Sequence, residues 1–478
     1  MKKITTHQPK VPWTWVAWMI FPWVTMTYYG MCSGAPLTFT IRKFVENPSL
    51  VALLSSVNLA FNFLVGAVTS YMSDRIWTRW GRRRPLLIIG WTGGALAMAF
   101  IPLAPNIGTL VVLIIVFQFC TDVGTPYEPL FNEVIPPQQR GRAATMRSIL
   151  QNLTSLFSNA VMLAQFDRQY DLNLVGQRLR ITGEMTLYWV GALAVLASVL
   201  FLILKVRETP PPESIRREAF SVPRFFREIF GQRQWWMVYL LYVCPYLTAA
   251  GIGSFGGSGL GAFIPLFLNE QVGFSKEQIG WAAGAAGVVN MLLFVPLFGI
   301  LADRLPRLRL FQVATIAPAV VNLGFYFVAR FVLDYHVPFG VLLGFGIATE
   351  AMMALLYVLW GPLIYDYVPT ARYGTVSAGF SFIGGFVVFA LINGSGLWVG
   401  GMTRAFGTAG ASRYDYSSAF LWQFLAALIS LGIALYFGRE VRRGRIIPYA
   451  RLEFEQRKVP VLNGGAAGEP GGKADGRD

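Results

Sequence analysis

The chain has 478 residues, 54% of them hydrophobic and only 14% charged, with a mean hydropathy of +0.50 and a net charge of +15. A soluble globular protein carries about a quarter charged residues, and this much apolar surface has no place to go except a bilayer. The basic residues sit in short turns rather than in a separate basic domain, which excludes nucleic acid as a partner.

Residues 1–12 are basic and polar, without a cleavable signal pattern, and read as a cytoplasmic N-terminus. Twelve apolar runs follow, centred on 15–35, 51–72, 86–103, 110–131, 149–166, 186–204, 236–267, 281–301, 311–331, 339–364, 376–399 and 419–437. Each is long enough to cross a membrane as a helix. The first six make one bundle, 13–205, and the second six another, 235–438. Between them lies a charged, proline-rich cytoplasmic linker, 206–234. Residues 439–478 form a basic, then glycine-rich cytoplasmic tail, expected to be partly disordered. The fold class is therefore an all-α membrane protein of two pseudo-symmetric six-helix bundles. The seventh run is overlong and carries Gly251, Gly253, Gly256, Gly257, Gly259 and Gly261. Such a run permits either tight helix packing or a broken helix.

Alternating crossings leave 9 of the 40 Lys and Arg on one side, beside 8 acids, and the other 31 on the opposite side. That bias orients membrane proteins with the basic side inward. The strongest local signal is the turn 73–85, with Arg75, Arg79, Arg82, Arg83 and Arg84 beside Asp74. A hinge so charged cannot lie in hydrocarbon and marks the cytoplasmic face. Cys32, Cys120 and Cys244 each sit in an apolar run and read as small hydrophobes. No metal-ligand spacing, phosphate loop or Ser-His-Asp set is present, so no cofactor, no metal and no enzymatic activity are expected.

An internal repeat supports two related halves. Ser73-Asp74-Arg75 returns as Ala302-Asp303-Arg304 at an offset of 229. Asn132-Glu133-Val134-Ile135-Pro136 returns as Tyr365-Asp366-Tyr367-Val368-Pro369 at 233, and Gly141 matches Gly374 at that same offset. Parallel repeats of this kind enclose a solute cavity near the bilayer midplane and rock about it.

Charges inside a membrane are functional candidates by default. Three acids fall inside the expected crossings: Asp122, Glu128 and Glu350. No Lys or Arg is placed well inside one, and His7 and His336 both lie outside the hydrocarbon. If a proton is the coupling ion, one of these carboxylates must carry it. Asp122 is expected near the midplane, where burial favours its protonated form until the cavity hydrates. Its alternatives are a fixed hydrogen bond to a neighbouring helix or direct contact with solute hydroxyls. Glu128, flanked by Pro126 and Pro129, suits a gate or ion pair as well as coupling. Glu350 is placed toward the outer half, as a proton or solute group or a satisfied polar group. Trp23, Tyr28, Asn58, Asn62, Asn152, Asn290 and Asn393 are the candidates for binding a sugar, through aromatic faces and amide hydrogen bonds. Each asparagine serves equally well as a bridge between helices. Glu133, Asp366, Asp74, Asp303, Arg75, Arg82, Arg142 and Arg304 are placed to form a cytoplasmic gate of ion pairs. The alternative is that these arginines set topology and contact anionic lipid.

The turn 73–85, its weaker copy at 302–304 and the twelve crossings resemble the major facilitator superfamily. The fuller form of the turn, with Pro136, Arg140, Gly141 and Arg142, resembles the glycoside–pentoside–hexuronide:cation symporters and the related sucrose transporters. That resemblance implies cation-coupled uptake of a sugar, and supports a gating role for Asp74 and Arg82. Sodium-coupled members carry paired aspartates in the second crossing, where 51–72 has no acid, so proton coupling or uncoupled transport is favoured. The sucrose branch has a basic residue near the inner end of its fourth crossing, where this chain has Glu128. The expectation is a monomeric, proton-coupled sugar or glycoside symporter of the inner membrane, with both termini cytoplasmic and the lipid bilayer as its other partner. Its rivals are an exporter of another amphipathic solute such as a lysolipid, an uncoupled facilitator, and a non-transporting sensor on the same fold.

Overall fold

In the computed structural model, residues 12–66, 68–69, 78–81, 83–135, 137–174, 177–206, 222–249, 263–368, 373–408, 412–446 and 448 are described. Among the described residues, seven helices are long and apolar enough to cross a membrane: Arg84–Leu103, Gly183–Lys205, Lys276–Ala302, Arg307–Val332, Phe339–Trp360, Gly379–Phe406 and Ser418–Arg442. They coincide with expected crossings three, six and eight to twelve. Within the other five expected crossings the described residues form shorter helices.

The first runs as α1 (Trp13–Cys32) and resumes as α2 (Ala35–Arg42). The second is α3 (Pro48–Phe61), widening into a π-helical turn at Asn62–Gly66. After α4 (Arg84–Phe100), the fourth is α5 (Ile107–Val123) and α6 (Tyr127–Val134). Gly124 and Pro126 explain that break, since proline lacks the N–H a continuous helix needs. The fifth is α7 (Pro137–Phe157), followed by a π turn at Ser158–Met162 and a 3₁₀ turn at Leu163–Gln165.

A two-stranded hairpin then interrupts the helical pattern, β1 (Gln169–Leu174) against β2 (Gln177–Thr182), pairing Gln169 with Thr182 and Leu174 with Gln177. The all-α expectation missed it. Its alternating polar and apolar residues carry the period of two, but the segment is short and lies between two strong helices. Thr182 caps α8 (Gly183–Lys205) by accepting the Met185 N–H.

The second half follows as α9 (Val222–Phe230), α10 (Arg233–Ala249) and α11 (Phe263–Leu266), then α12 (Lys276–Val289) and α13 (Val295–Arg304). Next come α14 (Arg307–Ala314), α15 (Ala317–Phe327), α16 (Phe339–Tyr365), α17 (Tyr373–Phe406) and α18 (Ser418–Arg442). Ser275 and Gln278 cap α12 reciprocally. The glycine run 251–261 of the seventh crossing lies outside the described residues. Further π turns occur at Phe267–Gln271, Asn290–Phe294 and Val328–Val332.

Alternation of the crossings gives the molecule two ends. The arginine face carries the turn around Gly81 and the start of α4; the hairpin face carries β1 and β2. One core spans both halves, from Trp91, Phe117 and Tyr188 of the first to Phe267, Phe325 and Phe420 of the second, and another lies within the second half around Tyr239, Leu356 and Phe437. Trp235 is 2% exposed inside the second core. Cys32 and Cys244 are buried free thiols, and Cys120 is half-buried.

Candidate functional site

The two halves meet along two seams, both toward the hairpin face. In one, α3 packs on α17. A β-carbon on Gly396 would lie 2.7 Å from Ala52 Cβ and 3.0 Å from the Pro48 carbonyl oxygen, so only glycine admits this approach. Asn393 Nδ2, past the middle of α17, donates across the seam to Ser56 Oγ at 2.9 Å. In the other seam α12 packs on the end of α7. A β-carbon on Gly280 would lie 2.5 Å from the Asn159 carbonyl oxygen, and one on Gly284 2.7 Å from Ala160 Cβ.

Charges close the rim above these seams. Arg42 grips Glu270 with two bonds, 2.5 and 2.9 Å, from first half to second. Asp167 accepts from Lys276 Nζ at 2.6 Å, and Arg168 reaches Glu277 at 3.4 Å. Arg413 pairs with Glu46. All four ion pairs join the two halves. Lys276 also lies over the rings of Phe166 and Phe39, 4.5 and 5.1 Å from their centroids, so its stem and charge are seated in the opposite half. The Glu270 hydrogen bond raises the pKa of Arg42, which stays a cation. Behind the rim, Lys43 and Thr40 bind Glu184, and Asp415 holds Arg330, Gln271 and Ser417.

The arginine-face gate expected from sequence falls largely outside the described residues. Asp74, Arg75 and Arg82 are outside them, as are the side chains of Glu133, Arg142 and Asp303. Arg304 is exposed. Asp366 pairs with Arg307 at 3.6 Å, within its own half and three residues beyond Arg304. Burial raises the Asp366 pKa, and Arg307 works against that rise.

Asp122 is 5% exposed, at the end of α5 just before the break, and its carbonyl accepts from Thr69 Oγ1 of the second crossing at 3.2 Å. The side chains of Glu128, Asn58 and Asn62 lie outside the described ones. Glu350 is half-buried in α16. Its neighbour Thr349 begins a buried polar chain that sequence reasoning missed. Thr349 donates to Asn322 (2.7 Å), Asn322 to Gln423 (2.9 Å), Gln423 to the Thr248 carbonyl (2.9 Å), and Thr248 to the Thr315 carbonyl (2.6 Å). Tyr28 is buried and donates to the Leu187 carbonyl at 3.1 Å, which ties α1 to α8. Asn152 is exposed on α7. Asn290 opens the π turn of the eighth crossing, as Asn62 opens that of the second. Its Oδ1 is buried with no hydrogen-bond partner among the described residues.

Arg147 corrects the expectation that no arginine lies inside a crossing. The fifth crossing starts at Pro137, earlier than its apolar core, and Arg147 sits ten residues along α7, about 15 Å in. Trp23 lies equally far along α1, and the Arg147 guanidinium rests 4.4 Å from the centre of its ring. One turn on, Gln151 Nε2 donates to Thr27 Oγ1 at 2.9 Å; another turn on, Ser155 touches the Met31 sulfur at 3.8 Å. Trp23 further packs on Tyr127 at 5.6 Å.

The second half repeats this cluster. The 233-residue offset carries Tyr127 onto Trp360, Pro129 onto Pro362 and Arg147 onto Phe380. There Tyr242 takes the place of Trp23, stacked on Phe380 (4.3 Å, 8°) and against Trp360 (4.9 Å). Tyr246 adds a hydroxyl contact to Tyr242 at 3.2 Å. The repeat thus extends from gate motifs to the membrane interior.

Comparison with known proteins agrees with this architecture. The chain is 25% identical over 352 residues to the anhydromuropeptide permease of Escherichia coli strain K12, covering 69% of this chain and 66% of that one, just under two thirds of its length. Its fold matches the POT family transporter PepTSo (TM-score 0.66, 11% identity, 91% of this chain and 99% of that one). It matches a D-xylose-proton symporter with a TM-score of 0.59 at 16% identity, over 87% and 97% of the two chains. A bacterial homologue of the human lysosomal transporter Spinster, solved inward-facing and occupied, gives a TM-score of 0.63 at 16% identity, over 90% and 98%. The named sequence relative is an anhydromuropeptide permease rather than a sucrose transporter or glycoside symporter. The signature of the Major Facilitator Superfamily matches residues 13–392, so the chain belongs to that family: it is a multi-pass membrane transporter and not an enzyme.

Proposed function

We propose that the protein takes up a sugar-bearing solute with a proton by alternating access, and that the described state is the one closed to the outside. The carrying observation is the hairpin-face closure: two glycine seams and four ion pairs, every one of them between halves. Contacts of that kind must break as a set for the halves to rock, so they belong to a gate rather than to a permanent core. The basic bias of the sequence makes the arginine face cytoplasmic and the hairpin face external, which places both termini inside. The relative's name supports a solute with sugar and peptide parts, and the branch resemblance supports cation-coupled uptake of a glycoside; both point to the bacterial inner membrane.

Asp122 supplies the proton site in this reading. It is buried, and it lies beside the break between α5 and α6, where a change of helix angle alters its hydration. The test uses proteoliposomes with an inward proton gradient and a purified anhydromuropeptide as solute. Solute addition should alkalinise the outside. Asp122→Asn should abolish accumulation against a gradient while exchange of labelled for unlabelled solute continues. Full uphill uptake by that variant removes Asp122 from the mechanism, and uptake without proton movement leaves a facilitator.

A further inference from the structure

We propose that a groove between α10 and α18, on the outside of the second bundle, holds an acyl chain of an anionic phospholipid, with Arg233 and Arg439 on its phosphate. The site is separate from the transported solute and does not depend on which solute that is.

The groove encloses about 380 Å³ between Met237 and Leu240 of α10 and Gly432, Ile433 and Tyr436 of α18. Its walls are apolar. Leu240 and Tyr436 are exposed at its mouth, and α18 packs on α10, α14, α15 and α17, all of the second half. The groove therefore opens on the bundle's outer surface, where lipid is the solvent. From Ile429 to Phe437 it follows α18 for eight residues, about 12 Å, which suits a stretch of acyl chain.

The internal repeat shows that the fold does not require this hollow. The 219-residue step that carries Trp23 onto Tyr242 also carries Trp18 onto Met237, Phe21 onto Leu240 and Thr25 onto Cys244. Thr25 bonds to Ser198 at 2.7 Å in the first half, and Ser430 donates to the Cys244 carbonyl at 2.9 Å in the second. Ser198 thus answers to Ser430, and by the same step Leu200 to Gly432 and Phe201 to Ile433. In the first half Trp18 stacks on Phe201 (5.8 Å, 17°) and meets Phe21 edge-on at 6.5 Å, so three rings occupy the place. In the second half a methionine, a leucine, an isoleucine and a glycine leave it open. No atom lies within 4 Å of a β-carbon built on Gly432.

Charge identifies the occupant. Arg233 lies four residues before Met237 and Arg439 three after Tyr436, so helical spacing sets both in line with the groove at its arginine-face end. Both are exposed, and neither side chain has a partner among the described residues. Glu440, next to Arg439, is taken by Arg443 and Arg445. Trp236, beside Arg233, is exposed and is the residue type that settles at headgroup depth. An apolar groove ending in two uncompensated cations matches a molecule with a hydrocarbon chain and a phosphate. A second copy in the same membrane would bring its own Arg233 and Arg439 to the same depth, and like charges would oppose that contact.

The test is native mass spectrometry of the purified full-length protein, incubated with equal amounts of phosphatidylglycerol and phosphatidylcholine bearing identical chains. The wild type should retain phosphatidylglycerol in preference. Arg233→Gln combined with Arg439→Gln should lower that preference by about tenfold or more, the scale of two basic residues at a membrane surface. Gly432→Leu restores the first-half side chain where nothing obstructs it, so the protein should fold and retain both lipids severalfold less; Gly432→Trp should reduce retention further. A wild type that retains the two lipids equally overturns the site, as does an arginine double variant that keeps the preference. A folded Gly432→Trp protein that retains lipid as the wild type does also overturns it. So does a wild-type dimer that Gly432→Trp splits, which gives the groove to a second copy. None of these readouts depends on transport, so they stand or fall apart from the proposed function.

Discussion

The interface between the halves is closed in two different ways at two depths. At the hairpin-face rim the contacts are charged: Arg42 with Glu270, Lys276 with Asp167 and two flat rings, Arg168 with Glu277, Arg413 with Glu46. Deeper, they are small and nearly uncharged: Gly280 and Gly284 on the end of α7, Gly396 on Ala52, and one amide from Asn393 to Ser56. The difference follows from what replaces each contact on opening. Water can take up the partners of a broken ion pair at the rim, so charges there cost little in either state. Within the bilayer, closure must rely on shape, because helices in lipid associate through close backbone approach rather than through hydrophobic gain. The rim sets which partner residue meets which; the seam sets how tightly the halves can close.

The largest expected effect therefore lies in the seam. Gly280→Leu leaves no room for the Asn159 carbonyl and should hold the hairpin face open. Transport should fall to background, and a cysteine placed at position 277 should label from outside at all times. Normal transport by this variant would show that the glycine seam is not the closing surface.

Reversal of one rim pair comes next. Arg42→Glu should destabilise the closed state by about 2 kcal/mol, the scale of charge-assisted bonds, and the double variant Arg42→Glu with Glu270→Arg should restore most of it. Rescue is measured as outside labelling and as uptake. Added salt should weaken closure at the rim in the wild type and have no such effect on Gly280→Leu.

Asn393→Ala removes the amide that donates to Ser56 across the α3–α17 seam and should shift the balance by about 1 kcal/mol, seen as a severalfold change in labelling rate without loss of folding. If the shift matches that of Gly280→Leu, polar contacts rather than shape dominate the interior.

The smallest effect belongs to the arginine face. Burial raises the Asp366 pKa above the ordinary carboxylate value, with Arg307 only partly opposing it. A carboxyl raised in the fold stabilises most when protonated, below its unfolded pKa, and that contribution fades as pH rises through the folded value. Asp366→Asn should thus leave stability at neutral pH unchanged or slightly raised and flatten its dependence just above the ordinary carboxylate range. A clear loss of stability at neutral pH would show that the ion pair to Arg307 outweighs burial.

The superfamily, the bundle architecture and the repeat were legible in the sequence because each rests on runs of about twenty apolar residues and on a charged turn that cannot enter lipid. The hairpin-face rim was not. Arg42 and Glu270 are 228 residues apart, and nothing local marks either as half of a pair. The outer loops' near neutrality, 9 cations beside 8 acids, was the available sign, and pairing across the halves accounts for it. Arg147 was missed because apolar runs define a crossing's core, whereas α7 begins a dozen residues earlier. The extended offset that sets Arg147 on Phe380 was present in the sequence; its meaning needed the stacked rings.

The π turns of α3 and of the eighth crossing give the two seam helices a second way to move. Each begins at an asparagine, Asn62 in one and Asn290 in the other. A π turn holds one residue more than an α turn, so drawing that residue back into regular helix spins everything beyond it by about 100°. Torsion of this kind would swap which side chains of α3 and the eighth crossing face the opposite half while both bundles keep their tilt, and it would add a screw axis to the proposed rocking.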